Sequence, residues 1–179
     1  MPSQNSAKAA LSLIENDKSK ILGLAVGKHA NVQPGQHIPK PEAQDVPELS
    51  FTDLSPEKTY LVVALDLDAP FPSFNILSPA LHWIQPGFKA EPKEGGGFSL
   101  KATEPFIANY IGVGAPGISA PHRYCFFLYE QPEGLDGKKY APPGGKELGL
   151  GGRIRYNFDA WGEEIKLGPL LAFNYFNSN

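Results

Sequence analysis

Eighteen prolines and nineteen glycines are spread along the 179 residues of the chain, and this punctuation limits the fold more than any other feature. Proline removes a backbone donor and clashes with the preceding helical turn, while glycine weakens a helix interior. A helical bundle is therefore excluded, whereas many short strands joined by turns satisfy the constraint. One amphipathic helix is predicted, over residues 6–22 (SAKAALSLIENDKSKIL), with Ala7, Ala10, Leu11, Ile14 and Ile21 near one face. Its expected role is a lid on a sheet.

Residues 59–68, TYLVVALDLD, are apolar on both faces until Asp66 and Asp68, as expected of a central strand covered on both sides. Further strands are predicted at ALHWIQ (80–85), HRYCFFLYEQ (122–131) and LLAFNYF (170–176), with brief extended pieces, HIP and ELSF, in the proline-rich stretch 31–57. EPKEGGGFSL (91–100) reads as a solvated loop and residues 135–153 as a glycine- and proline-rich excursion, followed by a short helix around Phe158 to Glu164. No repeat or linker divides the chain, so residues 1–179 are taken as one domain. Strands without regularly alternating helices predict a mainly β fold, an antiparallel β-sandwich with a few short peripheral helices.

Several function classes drop out. The net charge of −3 gives no basic face for nucleic acid. The single Cys125 allows no internal disulfide framework. The longest apolar run, YLVVAL, is far too short for a bilayer span, and the N-terminus has no apolar signal core. A cytoplasmic protein is expected. GVGAPG (112–117) matches the G-x-G-x-x-G dinucleotide pattern, but Pro121 and an aromatic strand follow where a helix would have to start. These glycines are better read as a loop whose backbone closely approaches something else.

Side chains at i and i+2 of a strand share a face, so Asp66 and Asp68 are predicted to point the same way, about 6–7 Å apart. His82 is predicted to project opposite Leu81 and Trp83. His122 and Tyr124 should share one face, and Arg123 and Cys125 the other. Singly, each has an ordinary explanation: a turn-forming carboxylate, a hydrogen-bonded core histidine, a core aromatic. No G-x-S-x-G nucleophile elbow is present.

Together, DLDAP (66–70), LHW (81–83) and GAPGISAPHRYCFFLYEQP (114–132) resemble the phosphatidylethanolamine-binding protein family. That family includes Raf kinase inhibitor protein, plant flowering regulators and fungal carboxypeptidase Y inhibitors. Its D-P-D-x-P signature and following His-bearing strand, and its G-x-[AP]-P-x-G loop leading into H-R-Y and a strand ending Y-E-Q, occur in order over residues 60–132. Weaker similarity extends to the NYF near the C-terminus. The resemblance implies a β-sandwich with a small anion pocket at one end, lined by Asp66, Asp68, His82, His122 and Tyr124, with Pro70, Gly114, Ala115 and Pro116 at its rim. It implies no cofactor and no metal, although Asp68, His82 and His122 are suitable ligand types for zinc or iron. In the implied arrangement the aspartates orient the imidazoles, and donors from His82, His122 and Tyr124 face a small anionic ligand. Anion affinity should then rise as pH falls through the histidine range.

The chain departs from the family pattern in three places. Leu67 replaces a proline and restores a backbone N–H. FPSFNILSPA (71–80) sets an apolar wall beside the pocket. The chain stops at Asn179, without the C-terminal helix that supplies a pocket tyrosine in animal members, so a more open mouth is expected. The resemblance is greatest to fungal members. It supports two functions. One is a regulatory or inhibitory binding module for phosphate, a phospholipid headgroup or a carboxylate, with a protease or kinase as protein partner. The other is an acid/base enzyme or accessory catalyst of the kind linked to maleic-anhydride polyketide pathways in fungal secondary metabolism. In that role Asp66 or Asp68 would act as base and His82 or His122 as acid, with Phe71, Phe74 and Ile76 against a small apolar carboxylated substrate.

Overall fold

All seven residues of the strand Tyr60–Asp66 are buried, so something must cover both of its faces. A computed structural model shows how this is done for residues 4–179; residues 1–3, where the segment read as lacking a signal core begins, lie outside the described residues. In chain order the strands are β1 (Gly23–Ala25), β2 (Gln36–His37), β3 (Glu48–Phe51), β4 (Tyr60–Asp66), β5 (Ala80–Pro92), β6 (Phe98–Ala102), β7 (His122–Glu130) and β8 (Leu170–Ser178), with helices α1 (Asn5–Asn16) and α2 (Phe158–Glu164). They form one eight-stranded sheet in the order β1-β3-β6-β5-β4-β7-β8-β2.

The expected antiparallel sandwich is corrected in two respects. The sheet is mixed, because β2 runs parallel to β8. It is also continuous and curled rather than split into two layers. Val62 and Ala64 of β4, Trp83 and Phe88 of β5, Tyr124 and Phe126 of β7 and Phe176 of β8 share one apolar cluster with Leu24 of β1 and with Leu49 and Phe51 of β3. Residues from both ends of the sheet meet there only because it bends into a half-barrel with this cluster on its concave face. The opposite face carries Leu61, Val63, Leu65, Phe127 and Phe173, covered by Ala7, Ala10 and Ile14 of α1 and by Phe158 and Trp161 of α2. Strand β4 is thus central with both sides covered, and α1 is the lid its apolar spacing required.

Helix α1 ends at Asn16, short of the predicted residue 22. Asp17 is extended, and its carboxylate accepts from the Ser19 backbone N–H at 2.9 Å and from the Ser19 hydroxyl at 2.6 Å. That Asx arrangement starts a separate 3₁₀ turn over Lys18–Lys20. Its N-terminus is capped from elsewhere: Asp159 of α2 accepts from the Asn5 and Ser6 N–H groups at 3.0 and 3.2 Å. The stretch 91–100 is not a loop. β5 runs on to Pro92, Gly95, Gly96 and Gly97 turn the chain at positive φ, and β6 returns antiparallel from Phe98. Three glycines masked a hairpin turn as a flexible connection. No helix of the described residues is long and apolar enough to cross a membrane.

Candidate functional site

The site is built on an irregularity. On pairing with β5, Ala64 of β4 faces Trp83 and Leu65 faces Leu81, so one step along β4 spans two along β5 and His82 is the extra residue of a β-bulge. A bulge breaks the two-residue alternation and re-aims side chains. Leu81 therefore packs on the helix-covered face and Trp83 on the concave face, not together as alternation predicted. His82 turns its ring edge onto Tyr124, 5.1 Å between centroids at 83°. The His82 Nδ1 donates to the Ile111 carbonyl at 2.9 Å, while the Ile111 N–H donates to the His82 carbonyl at 3.0 Å. A carbonyl only accepts, so the Nδ1 hydrogen is fixed and Nε2 is left for the site.

The two aspartates part company. The i, i+2 rule holds only while a strand continues, and β4 ends at Asp66. The Asp66 carboxylate accepts from the Asp68 N–H at 2.8 Å and from His122 Nδ1 at 2.8 Å. The Asp68 carboxylate instead takes Arg123, accepting from its backbone N–H at 2.9 Å, its Nε at 2.8 Å and its Nη2 at 2.7 Å. That is a bidentate ion pair with a third bond. Asp68, His82 and His122 consequently do not converge, and no group of three or more potential metal ligands occurs among the described residues. The Leu67 N–H, present because no proline stands there, donates to the Arg123 carbonyl at 3.1 Å and extends the β4–β7 pairing past Asp66.

Tyr124 closes the cluster. Its hydroxyl oxygen accepts from the Gly114 and Ala115 N–H groups at 3.2 and 3.0 Å, which leaves its one hydrogen to donate. This is also the purpose of the loop in the G-x-G-x-x-G match. Gly112 packs so closely on Gln44 that a Cβ there would strike it, and the amides of Gly114 and Ala115 hold a tyrosine rather than a pyrophosphate. Pro116 and Pro70 border the cluster: the Pro116 carbonyl accepts from the Ser119 N–H at 2.8 Å, and the Pro70 backbone lies where it favours the charged form of His122. All of Asp66, Asp68, His82, His122 and Tyr124 are buried, none more than 6% exposed. The proposed apolar wall is less enclosed. Phe74 folds back in a tight turn onto the Phe71 carbonyl, and Phe74 and Ile76 are exposed. A cleft of about 820 Å³ lies elsewhere, beside β3 and β6 with Trp83 and Phe88 among its lining residues. It carries none of this chemistry: Asp66, Asp68, His82, His122 and Tyr124 are all absent from its lining.

The two histidines are pushed in opposite directions. For His82, burial is the dominant influence and lowers its pKa below the ordinary value, outweighing the Ile111 hydrogen bond and the Asp66 charge. For His122, burial also acts to lower the value. The hydrogen bond and charge of Asp66, with the charge of Asp68, outweigh it, and the pKa is raised. Burial raises the Tyr124 hydroxyl well above its ordinary value, so it stays a donor.

Ser119, His122 and Asp66 have the connectivity of a nucleophile relay: Ser119 Oγ lies 3.2 Å from His122 Nε2. Hydrogen placement argues against that use. The Ser119 hydroxyl donates to the Ala120 carbonyl at 2.7 Å, so the bond to Nε2 is completed by an imidazolium donor. Moreover, the amides that could serve as an oxyanion hole are bound to Tyr124. Sequence reasoning missed Ser119 and a second residue, Arg153, whose buried guanidinium donates to the Asn109 side-chain oxygen at 2.6 Å and to the Leu81 and His82 carbonyls at 3.2 and 3.4 Å. It sits in the glycine-rich excursion, where no periodicity marks it as buried. Arg123 had been assigned a face but no partner.

The architecture and these residues define a class. The phosphatidylethanolamine-binding protein family model matches residues 28–176, and the chain belongs to that family. Two Saccharomyces cerevisiae proteins are similar in sequence. The uncharacterized protein YLR179C is 31% identical over 115 residues, covering 62% of this chain but only 57% of that protein. Carboxypeptidase Y inhibitor is 27% identical over 184 residues, covering 88% of this chain and 83% of the inhibitor. Among solved structures, carboxypeptidase Y inhibitor complexed with its cognate proteinase superposes with a TM-score of 0.72 at 22% identity, covering 97% of this chain and 93% of that one. A phosphatidylethanolamine-binding protein from Plasmodium vivax gives 0.66 at 16% identity over 97% and 94%. At these identities the structural matches speak for the fold alone.

Proposed function

We propose that the chain is a binding module that takes a small anion, a phosphate, a phospholipid headgroup or a carboxylate, at Asp66, His82, His122 and Tyr124, with Pro70, Gly114 and Pro116 at the rim. Asp68 supports the site through Arg123. The observation that carries this reading is that each carboxylate is already matched by a cation, Asp66 by His122 and Asp68 by Arg123. The Tyr124 hydrogen is left to donate and His82 Nε2 free to respond to a ligand. Family membership and the similarity to carboxypeptidase Y inhibitor favour a regulatory or inhibitory role, with a protease as protein partner. A cytoplasmic location goes with this reading.

The test is a titration of the His82 and His122 ring resonances with phosphate, phosphoethanolamine and small apolar mono- and dicarboxylates. Both rings should shift, and affinity should rise in two steps as pH falls: His122 charges above its ordinary value near 6.5 and His82 below it. Affinity that stays flat between pH 5.5 and 8 would refute the assignment. The opposed shifts of the histidines also fit an acid/base pair, with neutral His82 as base and His122 as acid. Preferential binding of apolar dicarboxylates, followed by their chemical conversion, would select that second reading.

A further inference from the structure

A guanidinium needs strong compensation to leave water. Arg153 is 2% exposed, yet among the described residues no carboxylate pairs with it. Its Nε donates to the Leu148 carbonyl at 2.9 Å, Nη1 to the Leu81 and His82 carbonyls at 3.2 and 3.4 Å, and Nη2 to the Asn109 Oδ1 at 2.6 Å. Every acceptor is neutral, so the donors are satisfied but the charge is not. The acid that acts on it, Glu147, is exposed.

The neighbouring charges make this consequential. Asp66 with His122 and Asp68 with Arg123 are close ion pairs that cancel. Arg153 is the positive charge left over, and one of its hydrogens lies on the backbone carbonyl of His82 itself. We propose that Arg153 is a positioning residue of the anion site, its unmatched charge making the surroundings of His82 net positive and favouring anions over cations. This rests on the anion-binding reading and explains how a site with two carboxylates can serve it. The groups that bear on the His82 ring are Asp66 from β4, His122 and Tyr124 from β7, and Arg153 from the loop before α2. Of these Asp66 favours a charged imidazole, while Arg153 and His122 oppose it.

Deleting the guanidinium would take a donor from four oxygens and disrupt the loop whether or not the charge matters. The decisive variant therefore neutralises the charge in place. Asn109→Asp puts a carboxylate on the atom that already accepts from Nη2, at nearly the same volume, losing only the Asn109 Nδ2 bond to the Tyr110 carbonyl. Two quantities are measured on the intact chain: the NMR titration midpoint of the His82 ring, and affinity for inorganic phosphate at pH 7 and low salt. With Asn109→Asp the His82 midpoint should rise and phosphate binding should weaken roughly tenfold, as expected for neutralising one charge at this range and partial burial. Arg153→Lys, which keeps the charge, should leave the His82 midpoint near that of the wild type.

If the Asn109→Asp protein folds with an unchanged His82 midpoint, Arg153 is only a structural tie and the proposal fails. If the wild-type chain takes up no phosphate, the anion-binding reading fails on its own account. The His82 midpoint then still decides whether Arg153 governs that ring.

Discussion

Replacing Asp66 by Asn removes one charge and almost no volume, and the structure fixes what must follow. In the wild type, one carboxylate oxygen accepts from the Asp68 N–H and the other from His122 Nδ1, both at 2.8 Å. An amide has one accepting oxygen, so either its NH₂ is forced against a donor or His122 gives up its Nδ1 hydrogen and accepts from the amide. The second outcome is cheaper. It leaves a neutral His122 with its hydrogen on Nε2, still donating to Ser119 Oγ. A hydrogen bond to a charged group contributes about 1.5–3 kcal/mol, which corresponds to about one to two pKa units. With that support gone and mainly the Asp68 charge left to oppose burial, the His122 midpoint should fall from above 6.5 to below it.

The stability effect has a definite sign with pH. A histidine whose folded pKa is raised stabilises the fold fully below the unfolded value near 6.5, and the contribution is lost as pH rises through the folded value. Asp66→Asn should therefore melt about 3–12 °C lower near pH 6, at about 2–4 °C per kcal/mol for a chain of this size, and the gap should narrow by pH 9. Long-range ¹H–¹⁵N spectra of the imidazoles report both midpoint and tautomer. An unchanged His122 midpoint, or a deficit that widens with pH, would refute the reasoning.

Three further outcomes follow from the same geometry. Tyr124→Phe removes the acceptor of the Gly114 and Ala115 backbone N–H groups, of which that of Ala115 is buried, and should cost about 1–3 kcal/mol in chemical denaturation, with weaker phosphate binding. Phe127→Ala opens a cavity between the sheet and α2, where Phe127 packs on Phe158 and Phe173 at 5.4 and 4.9 Å. It should cost about 3–5 kcal/mol while phosphate affinity of the folded fraction stays unchanged, since these rings lie on the face away from the site. Leu67→Pro restores the family residue but deletes the N–H bonded to Arg123 and a buried side chain; a loss of about 2–3 kcal/mol is expected, and a gain in thermal midpoint would show that this bond contributes nothing.

Where local signals agreed with tertiary demands, the sequence was a sufficient guide. Helix α2 lies where it was predicted, over Phe158–Glu164, because Asn157 caps it and Phe158 and Trp161 share a face. Strand β4 could be recognised as central because neither of its faces is polar. The face assignments of His122, Tyr124 and Cys125 followed from plain alternation along β7, which has no irregularity over those residues. His82 was misplaced for the converse reason: a bulge is a property of two paired strands, and nothing within LHWIQ announces an extra residue. The division of labour between Asp66 and Asp68 depends on where β4 ends, which is settled by its partner β7. Arg153 was invisible because its burial depends on the Leu81 and His82 carbonyls and the Asn109 amide, both far away in sequence, together with the Leu148 carbonyl five residues before it. Curling of the sheet was likewise beyond reach, since the contact of β1 and β3 with the far strands is set by twist and closure rather than by any local pattern.

Both open borders of the sheet are its shortest strands, three residues in β1 and two in β2. Unpaired amides and carbonyls along such a border are what a second chain would need in order to extend the sheet, and stubs of this length offer one or two bonds where a stable addition needs several. The long strands, β5, β7 and β8, are all flanked by neighbours on both sides. In concentrated solution the molecule accordingly has little capacity for strand exchange or fibril seeding, and its associations are left to side-chain surfaces rather than to its backbone.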